Sequence, residues 1–241
     1  MPNDLKILKY FLWDQLFLKY HISKMISLPD YKVAAQTIEE FMHSQAGLLK
    51  TDLASCTFTI FDLETTGFFP EIGDEILSIG AIKVKNFCIQ YDDAFYTVMK
   101  PINKIPKNIQ ELTGLSSDTL DKAQSFPVGL KRFLEYSKGS ILVAHPATFD
   151  IEFIKKVIKQ WQLPCFLPKY IDSHVLANDL FSGKRNYLDN LIDRLNITER
   201  ERHHALNDAI MTADIFVQLL RSYRETSITM VDELLEIETH S

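Results

Sequence analysis

The chain has 241 residues, of which 46% are hydrophobic and 24% are charged, a composition typical of an ordinary globular protein that excludes a disordered chain. With a net charge of −6, the chain lacks the excess of basic residues that many nucleic-acid-binding proteins have. Binding of a partner with phosphates would therefore need a local basic patch or a metal ion. Apolar runs are too short to span a membrane, which predicts a soluble, cytoplasmic protein without a membrane partner. The cysteines lack metal-ligand spacing and predict reduced, buried thiols: Cys56, Cys88 and Cys165.

Residues 1–52 form a predicted helical extension that precedes the main domain. Leucines, phenylalanines and Trp13 give it a broad apolar surface with lysines in between, and Pro29 divides it into two helices. Such a surface can dock on the domain, mediate dimerisation or lie on a membrane surface. Docking is favoured because it buries the apolar side chains without requiring a partner.

Strand patterns begin at Cys56. An apolar strand starts at Thr57 and runs into a turn at Gly67, and two further strands are predicted over Glu75–Val84 and Ala94–Met99. Three consecutive strands with short connections predict an antiparallel meander.

Helices and short strands alternate after the meander. Strands are predicted over Ser140–Ala144 and at Ile171, and helices over Ile109–Leu112, Phe126–Tyr136, Thr148–Gln162, Ser173–Phe181, Leu188–Leu195 and Ala205–Arg224. This order predicts an α/β fold with a mixed sheet flanked by helices. We therefore expect a helical extension over 1–52, one domain over 53–225 and an acidic C-terminal tail over 226–241.

Two carboxylates lie side by side at the end of the first strand. Asp62 and Glu64 share one face with Phe58 and Ile60 because successive strand residues alternate between faces. Neighbouring anions repel, and a divalent cation between them would relieve that cost. The alternative is an exposed strand end with solvated acids.

Two helices each aim an aspartate along their apolar stripe. The stripes are Asp150, Ile154, Val157 and Trp161 on one helix and Asp208, Thr212, Ile215 and Leu219 on the other. Either aspartate alone fits a structural role near a helix N-terminus. Together with Asp62 and Glu64 they make four carboxylates that a compact fold could bring together, and four such oxygen donors favour Mg²⁺ or Mn²⁺.

A histidine stands just ahead of the last long helix. His203 precedes Asp208 by five residues, so it lies in the approach to the expected acid cluster. A hydrolytic metal site needs a general base near a bound water, and a histidine suits that role. Its neighbour His204 is the competitor, and a loop histidine can also be an ordinary surface residue.

Three motifs contain these candidates, and two shorter segments accompany them. The motifs are Asp62-Leu-Glu64-Thr65-Thr66-Gly67, Val143-Ala-His145-Pro-Ala-Thr-Phe149-Asp150 and His203-His-Ala205-Leu-Asn-Asp208-Ala209. The segments are Glu111-Leu-Thr113-Gly114-Leu115 and Tyr170-Ile-Asp172 with Leu176-Ala177. The chain resembles the DEDDh 3′-to-5′ exonucleases from about Phe58 to Leu220, because these motifs and segments have the order and approximate spacing found in that family. The H-x-A-x-x-D pattern of that family selects His203 over His204.

The resemblance implies a ribonuclease H-like fold with a mixed five-stranded sheet and a two-metal hydrolysis of phosphodiester bonds at 3′ ends. It implies that Asp62, Glu64, Asp150 and Asp208 hold two Mg²⁺ or Mn²⁺ ions and that His203 takes the proton of the attacking water. It also implies a set of substrate-binding residues: Thr65, Thr66, Phe68, His145 and Phe149. The expected substrate is a single-stranded or frayed 3′ end, of DNA rather than RNA, and the product is a nucleoside 5′-monophosphate.

The chain departs from the family in three places. Pro146 follows His145 where the family usually has asparagine, which removes a side-chain amide and a backbone donor from the substrate site. Residues 1–50 lie outside the resemblance, and they are the candidate surface for a homodimer or for a polymerase or repair partner. No long extension follows the third motif, which favours a stand-alone enzyme.

The alternative functions are an inactive module that binds nucleic-acid ends or a partner, and an interaction protein acting through its N-terminal helices.

Overall fold

One mixed sheet of five strands organises the chain, and the structure, a computed structural model, describes residues 10–240. The strands are β1 (Thr57–Thr65), β2 (Ile76–Lys85), β3 (Cys88–Val98), β4 (Ile141–Ala144) and β5 (Tyr170–Asp172). Their order in the sheet is β3-β2-β1-β4-β5. The pairs β3–β2 and β2–β1 are antiparallel, whereas β1–β4 and β4–β5 are parallel. The predicted meander followed by parallel strands is therefore confirmed.

Helices cover both faces of this sheet. They are α1 (Gln15–Met25), α2 (Pro29–Ser44), α3 (Lys107–Thr113), α4 (Ser117–Asp121), α5 (Phe126–Tyr136), α6 (Ala147–Gln160), α7 (Ser173–Leu180), α8 (Leu188–Leu195), α9 (Ala205–Glu225) and α10 (Val231–His240). A π-helical segment, Tyr10–Asp14, leads into α1. Across residues 10–240, no helix combines the length and the apolarity needed to cross a membrane.

The alternation of β1 divides the core into two layers. Phe61 and Leu63 pack in the layer formed by α1, α2, α5 and α6, while Phe58 and Ile60 pack in the opposite layer with α9. This is the face assignment expected for a strand with period two. The side chains of Asp62 and Glu64 follow Phe58 and Ile60 on the α9 side.

The N-terminal helices dock on the domain, as favoured by their apolar surface. Ile38 and Phe41 of α2 are almost fully buried in the same cluster as Phe61. The hydroxyl of Tyr31 donates a hydrogen bond to the Trp161 carbonyl at 2.7 Å. The helices are thus part of the core, whereas a role as a partner interface stays a prediction.

The C-terminal segment differs from the expected acidic tail. It contains α10, whose Val231 and Leu234 are buried in the α9 layer. The backbone amide of Leu53 donates to the Thr229 carbonyl at 2.7 Å, so this segment is also tied to the entry into β1. Sequence reasoning weighted its acidic residues, but the apolar positions between them decide where the segment packs.

Two further expectations need correction. Strand β3 begins at Cys88 instead of Ala94, because its first half is a largely exposed edge without apolar alternation. The cysteines are free, but only Cys56 is buried; Cys88 and Cys165 are exposed, so burial was wrongly predicted for two of the three. The short helix α4 was not predicted.

Candidate active site

The carboxylates of β1 lie at its carboxyl-terminal end, next to the first turn of α9. Asp62 pairs across the sheet with Gly80 of β2. A Cβ atom at Gly80 would lie 2.1 Å from the backbone nitrogen of Leu206 and 2.3 Å from the carbonyl carbon of Ala205. The glycine therefore permits the first turn of α9 to rest directly on β2. That close approach carries Asp208, in the same turn, to the strand acids.

Three carboxylates converge at this point. Asp62, Glu64 and Asp208 each offer an oxygen atom, and these oxygens lie within 4.8 Å of one another. Glu64 and Asp208 are buried, while Asp62 is half-buried. The predicted meeting of the strand acids with Asp208 is thus present in the fold.

The two oxygens of Asp208 have different surroundings. Its Oδ2 accepts hydrogen bonds from Nη1 of Arg202, at 2.6 Å, and from the backbone amide of His203, at 3.2 Å. Its Oδ1 is buried and has no hydrogen-bond partner among residues 10–240. A buried, unpartnered carboxylate oxygen is costly and calls for a ligand. This oxygen belongs to the residue that completes the group of three acids.

The fourth predicted acid stands beside this group. Asp150 is buried in the first turn of α6 and lies outside the close set of three, although its charge contributes to raising the pKa of Asp62. The position of α6 is set by Asp172 at the end of β5. Its Oδ2 accepts from the backbone amide and the hydroxyl of Thr148, at 3.0 and 2.8 Å.

The acids raise one another's pKa values. Burial, and then the neighbouring carboxylates, raise the pKa of Asp62 well above its usual range. Burial and the charge of Asp208 raise the pKa of Glu64 to about 7. Burial also raises the pKa of Asp150. The guanidinium of Arg202 acts in the opposite direction on Asp62 and Glu64, so it neutralises part of the accumulated charge.

These residues fit a divalent metal ion. Carboxylate oxygens are the hard ligands that Mg²⁺ and Mn²⁺ prefer. A cation would give the unpartnered Oδ1 of Asp208 a partner and would relieve the repulsion that raises the pKa values of Asp62 and Glu64. The carboxylate ligands, their burial and the unpartnered oxygen of Asp208 therefore all fit a site for a divalent cation.

The two adjacent histidines occupy different environments. His203 is exposed, and its backbone adopts a φ of +62°. His204 is half-buried and stacks on Tyr96, with ring centroids 4.6 Å apart and planes 19° apart. The imidazole of His203 is therefore the accessible one beside Asp208, and its role as a general base stays a prediction.

An aromatic pair stands at the turn that follows β1. Phe68 is 73% exposed, and its ring meets that of Phe149 edge-to-face at a centroid distance of 6.0 Å. Phe149 lies one residue before Asp150, so the pair borders the acids. The exposed ring of Phe68 offers the flat apolar surface expected of a base-stacking residue.

The predicted threonines hold this turn. The hydroxyl of Thr65 donates to the Gly67 carbonyl at 2.7 Å, and that of Thr66 donates to Oδ1 of Asp74 at 3.2 Å. The other oxygen of Asp74 accepts from the backbone amide of Phe69 at 3.0 Å. Both hydroxyls thus shape the turn, and their predicted contact with substrate remains untested.

His145 lies in the interior, and its contact with substrate stays a prediction. Its Nε2–H donates to the Asn186 carbonyl at 2.8 Å, and its Nδ1 lies 2.9 Å from the hydroxyl of Ser173. Burial lowers the pKa of His145 to about 4, so the ring is neutral at pH 7. With both ring nitrogens engaged, His145 connects β4 to the α7 region. Pro146, next to it, precedes the first residue of α6.

Sequence reasoning missed two residues that shape the site. Arg202 bridges Asp208 and Asp189, with Nε 2.7 Å from Oδ1 of Asp189. Its position directly before the third motif was the available signal. Asp74 had no such signal, because its partners become neighbours only when the turn folds back.

Known proteins resemble the chain in sequence. Residues 59–216 match the exonuclease (RNase_T) family. The chain is 34% identical over 185 residues to DNA polymerase III PolC-type of Thermotoga petrophila, covering 75% of this chain but only 13% of that protein. It is 32% identical over 173 residues to DNA polymerase III subunit epsilon of Aquifex aeolicus, covering 71% of this chain and 84% of the subunit.

Solved structures resemble the fold. The nuclease domain of 3′hExo, a DEDDh family member bound to rAMP, superposes with a TM-score of 0.64 at 22% identity, covering 71% of this chain and 95% of that one. Exonuclease X in complex with 5′ overhanging duplex DNA gives a TM-score of 0.55 at 19% identity, covering 68% and 92%. The chain therefore belongs to the exonuclease (RNase_T) family and has the ribonuclease H-like fold of the DEDDh exonucleases.

Proposed function

We propose that this chain is a metal-dependent 3′-to-5′ exonuclease that releases nucleoside 5′-monophosphates from a nucleic-acid 3′ end. The observation that carries the proposal is the convergence of the carboxylates of Asp62, Glu64 and Asp208, one of which has a buried oxygen without a hydrogen-bond partner among the described residues. Membership of the exonuclease family supports the same chemistry.

Four acids would hold two Mg²⁺ or Mn²⁺ ions: Asp62, Glu64, Asp150 and Asp208. Support for a shared site is that the charges of the other three acids all raise the pKa of Asp62. Bound divalent ions would supply Lewis acidity toward the phosphoryl oxygens and would lower the pKa of a water molecule.

Side chains of the protein carry out proton transfer and substrate binding. The exposed imidazole of His203 takes the proton of the attacking water, whose oxygen forms a bond to phosphorus. The bond from phosphorus to the 3′ oxygen of the preceding nucleotide breaks, and that oxygen takes a proton from solvent. Phe68 and Phe149 stack against the terminal base, while the turn at Thr65 and Thr66 holds the terminal nucleotide.

The substrate and partners form a further part of the proposal. A single-stranded or frayed DNA end suits the exposed ring of Phe68, which an unstacked base can reach. The names of the PolC-type and epsilon relatives support DNA and a polymerase or repair partner. An exposed apolar row on the N-terminal helices supports contact with such a partner or with a second copy: Leu12, Trp13, Leu16, Phe17 and Tyr20. A cytoplasmic location accords with these roles.

The test is digestion of 5′-labelled DNA and RNA oligonucleotides with Mg²⁺, Mn²⁺ or EDTA. We expect a ladder that shortens from the 3′ end with either metal and none with EDTA. Asp62→Asn should reduce the rate by at least about 10³-fold, on the scale of a lost metal ligand's charge stabilisation. His203→Ala should lower the rate by about 10²-fold or more while Mn²⁺ still binds.

Two results would contradict the proposal. Full activity of Asp62→Asn would exclude the acid cluster as the reaction site. Oligonucleotide binding without shortening, in either metal, would identify an inactive module that binds nucleic-acid ends.

A further inference from the structure

A groove of about 720 Å³ lies between the N-terminal helices and the second half of α6. We call it the basic groove, and its charged lining residues are Lys19, Lys156, Lys159 and Glu71. Lys19 belongs to α1, which lies outside the stretch that matches the exonuclease family. This groove therefore combines the family domain with an element that the family does not account for.

The groove is positively charged in a chain whose net charge is −6. Glu71 pairs with Lys156 at 2.5 Å, which neutralises one of the three lysines. Lys19 and Lys159 are exposed, and neither forms an ion pair within the part of the chain that the structure describes. Two free ammonium groups thus face the groove, a local basic patch of the kind that an acidic protein needs to hold phosphates.

One loop joins the acid cluster to the groove. Phe68 contacts Phe149, the residue before Asp150, and the carbonyl of Pro70 two residues later accepts a hydrogen bond from the side chain of Gln160. Next in the loop, Glu71 reaches Lys156. The loop therefore runs from the site of proposed hydrolysis to the basic groove.

The loop also carries exposed aromatic rings. Phe69, next to Phe68, is 52% exposed although it is large and apolar. Along α6, the nine steps from Asp150 to Lys159 span about 13.5 Å at 1.5 Å per residue. At the 3.4 Å axial spacing of a strand in B-DNA that length is about four nucleotides, and an extended single strand covers it with fewer. Exposed aromatic rings followed by a cationic groove are the features that bind single-stranded nucleic acid independently of sequence.

We propose that the basic groove binds the phosphates of the substrate strand upstream of its 3′ terminus. The inference rests on the proposed exonuclease function and gives the N-terminal helices a part in it. Lys19 and Lys159 contact backbone phosphates, while Phe68 and Phe69 stack on the bases that lie between the groove and the acids. Substrate affinity should therefore depend on strand length.

The test compares strand binding by two variants with equal charge changes, in the Asp62→Asn background so that no substrate is consumed. One carries Lys19→Glu and Lys159→Glu. The control carries Lys85→Glu and Lys107→Glu; Lys85 lies at the end of β2 that pairs with Thr57, away from the acids. Fluorescence anisotropy in EDTA measures the Kd of a labelled single-stranded 15-mer and a labelled trimer at several salt concentrations.

We expect the groove variant to raise the Kd of the 15-mer about tenfold and to reduce its salt slope by about 1.4, at 0.7 per lost phosphate contact on a single strand. The trimer, which can make fewer of these phosphate contacts, should lose less affinity than the 15-mer. The control variant should stay within about twofold for both strands. If the groove variant unfolds, Lys19→Gln with Lys159→Gln replaces it, and a Kd increase of about threefold supports the proposal.

Unchanged binding of the 15-mer by the groove variant would overturn the inference. An equal loss in the control variant would also overturn it, because the effect would then be one of net charge. These failures are distinct from failure of the proposed function. In that case the unsubstituted protein would not shorten the 15-mer with Mg²⁺ or Mn²⁺.

Discussion

The negative charges of Asp62 and Glu64 are unfavourable in the folded protein, and other protein groups offset only part of this cost. Burial and neighbouring carboxylates raise the pKa values of both residues. Arg202 offsets part of that cost through its ion pair with Asp208, but Oδ1 of Asp208 is left without a partner. Metal binding at these acids should therefore be coupled to folding stability.

The contribution of Glu64 to the stability of the metal-free protein should decline as pH rises from about 4.5 to about 7, opposite in sign to that of the buried His145. The pKa of Glu64 is raised from 4.5 to about 7 in the folded state, so the folded protein holds a proton that the unfolded chain releases. The stability that Glu64 contributes is fully present below its pKa in the unfolded chain. It is lost as the pH rises through its pKa in the folded protein. Thermal unfolding in EDTA at pH 4.5 to 8 measures the slope.

Glu64→Gln supplies the control for this pH dependence. The variant cannot ionise at that position, so its Tm should fall less steeply over the same range. Added Mn²⁺ should raise the Tm of the unsubstituted protein more at pH 8 than at pH 5, because the ligands are then ionised. Parallel slopes for the two proteins would show that Glu64 does not titrate in this window.

At the scale of elements, the contact between β2 and α9 assembles the site. The first turn of α9 rests on Gly80, where a side chain would overlap the backbone of Ala205 and Leu206. Asp62 stands opposite Gly80 on β1, and Asp208 lies in that first turn of α9. The separation of the acids is therefore set by how closely a helix can approach a strand.

Gly80→Ala should weaken both folding and metal binding. The added methyl group meets backbone atoms that cannot move aside without shifting the α9 terminus, so we expect a loss of about 1–3 kcal/mol in the free energy of unfolding. Mn²⁺ affinity should fall with it, because Asp208 moves with α9. Urea unfolding and Mn²⁺ titration measure the two effects.

Gly129→Ala in α5 is the matched control for that substitution. Its methyl group would meet the flexible side chain of Met99 in the other layer of the core. We expect some loss of stability and an unchanged Mn²⁺ affinity. An equal loss of metal affinity in both variants would argue against the role of the β2–α9 contact.

For the whole molecule, segments on both sides of the expected 53–225 domain belong to the core. Phe41 of α2 lies in the cluster that includes Phe61, and Leu234 of α10 lies in the opposite layer. Whether 53–225 folds by itself stays a prediction. The shared core favours a single cooperative unit, because each layer would lose buried apolar surface without the flanking helices.

Phe41→Ala should destabilise the protein by about 3–5 kcal/mol, the usual effect of removing a buried phenylalanine. The exposed Trp13, at 72%, supplies the control, since Trp13→Ala should change stability by less than about 0.5 kcal/mol. Urea unfolding measures both. A small effect of Phe41→Ala would show that the N-terminal helices contribute little to the folded core.

The site acids are predictable because each one interrupts an apolar pattern. Asp62 and Glu64 end an apolar strand, and Asp150 and Asp208 occupy helix stripes whose other residues are buried. His145 fits its motif equally well, yet its environment is interior. The pattern identifies a residue type at a position but contains nothing about its partners, here Asn186 and Ser173.

By itself, the sequence determined the order of the strands, the faces of β1 and the acids of the site, because periodicity and misplaced charge are local properties of the chain. Only the tertiary structure decided that Gly80 sets the approach of α9, that Arg202 holds one oxygen of Asp208, and that α10 closes one layer of the core. It also placed Lys19 and Lys159 along the same groove. These are contacts between distant segments, and their energies depend on packing distances that no local pattern contains.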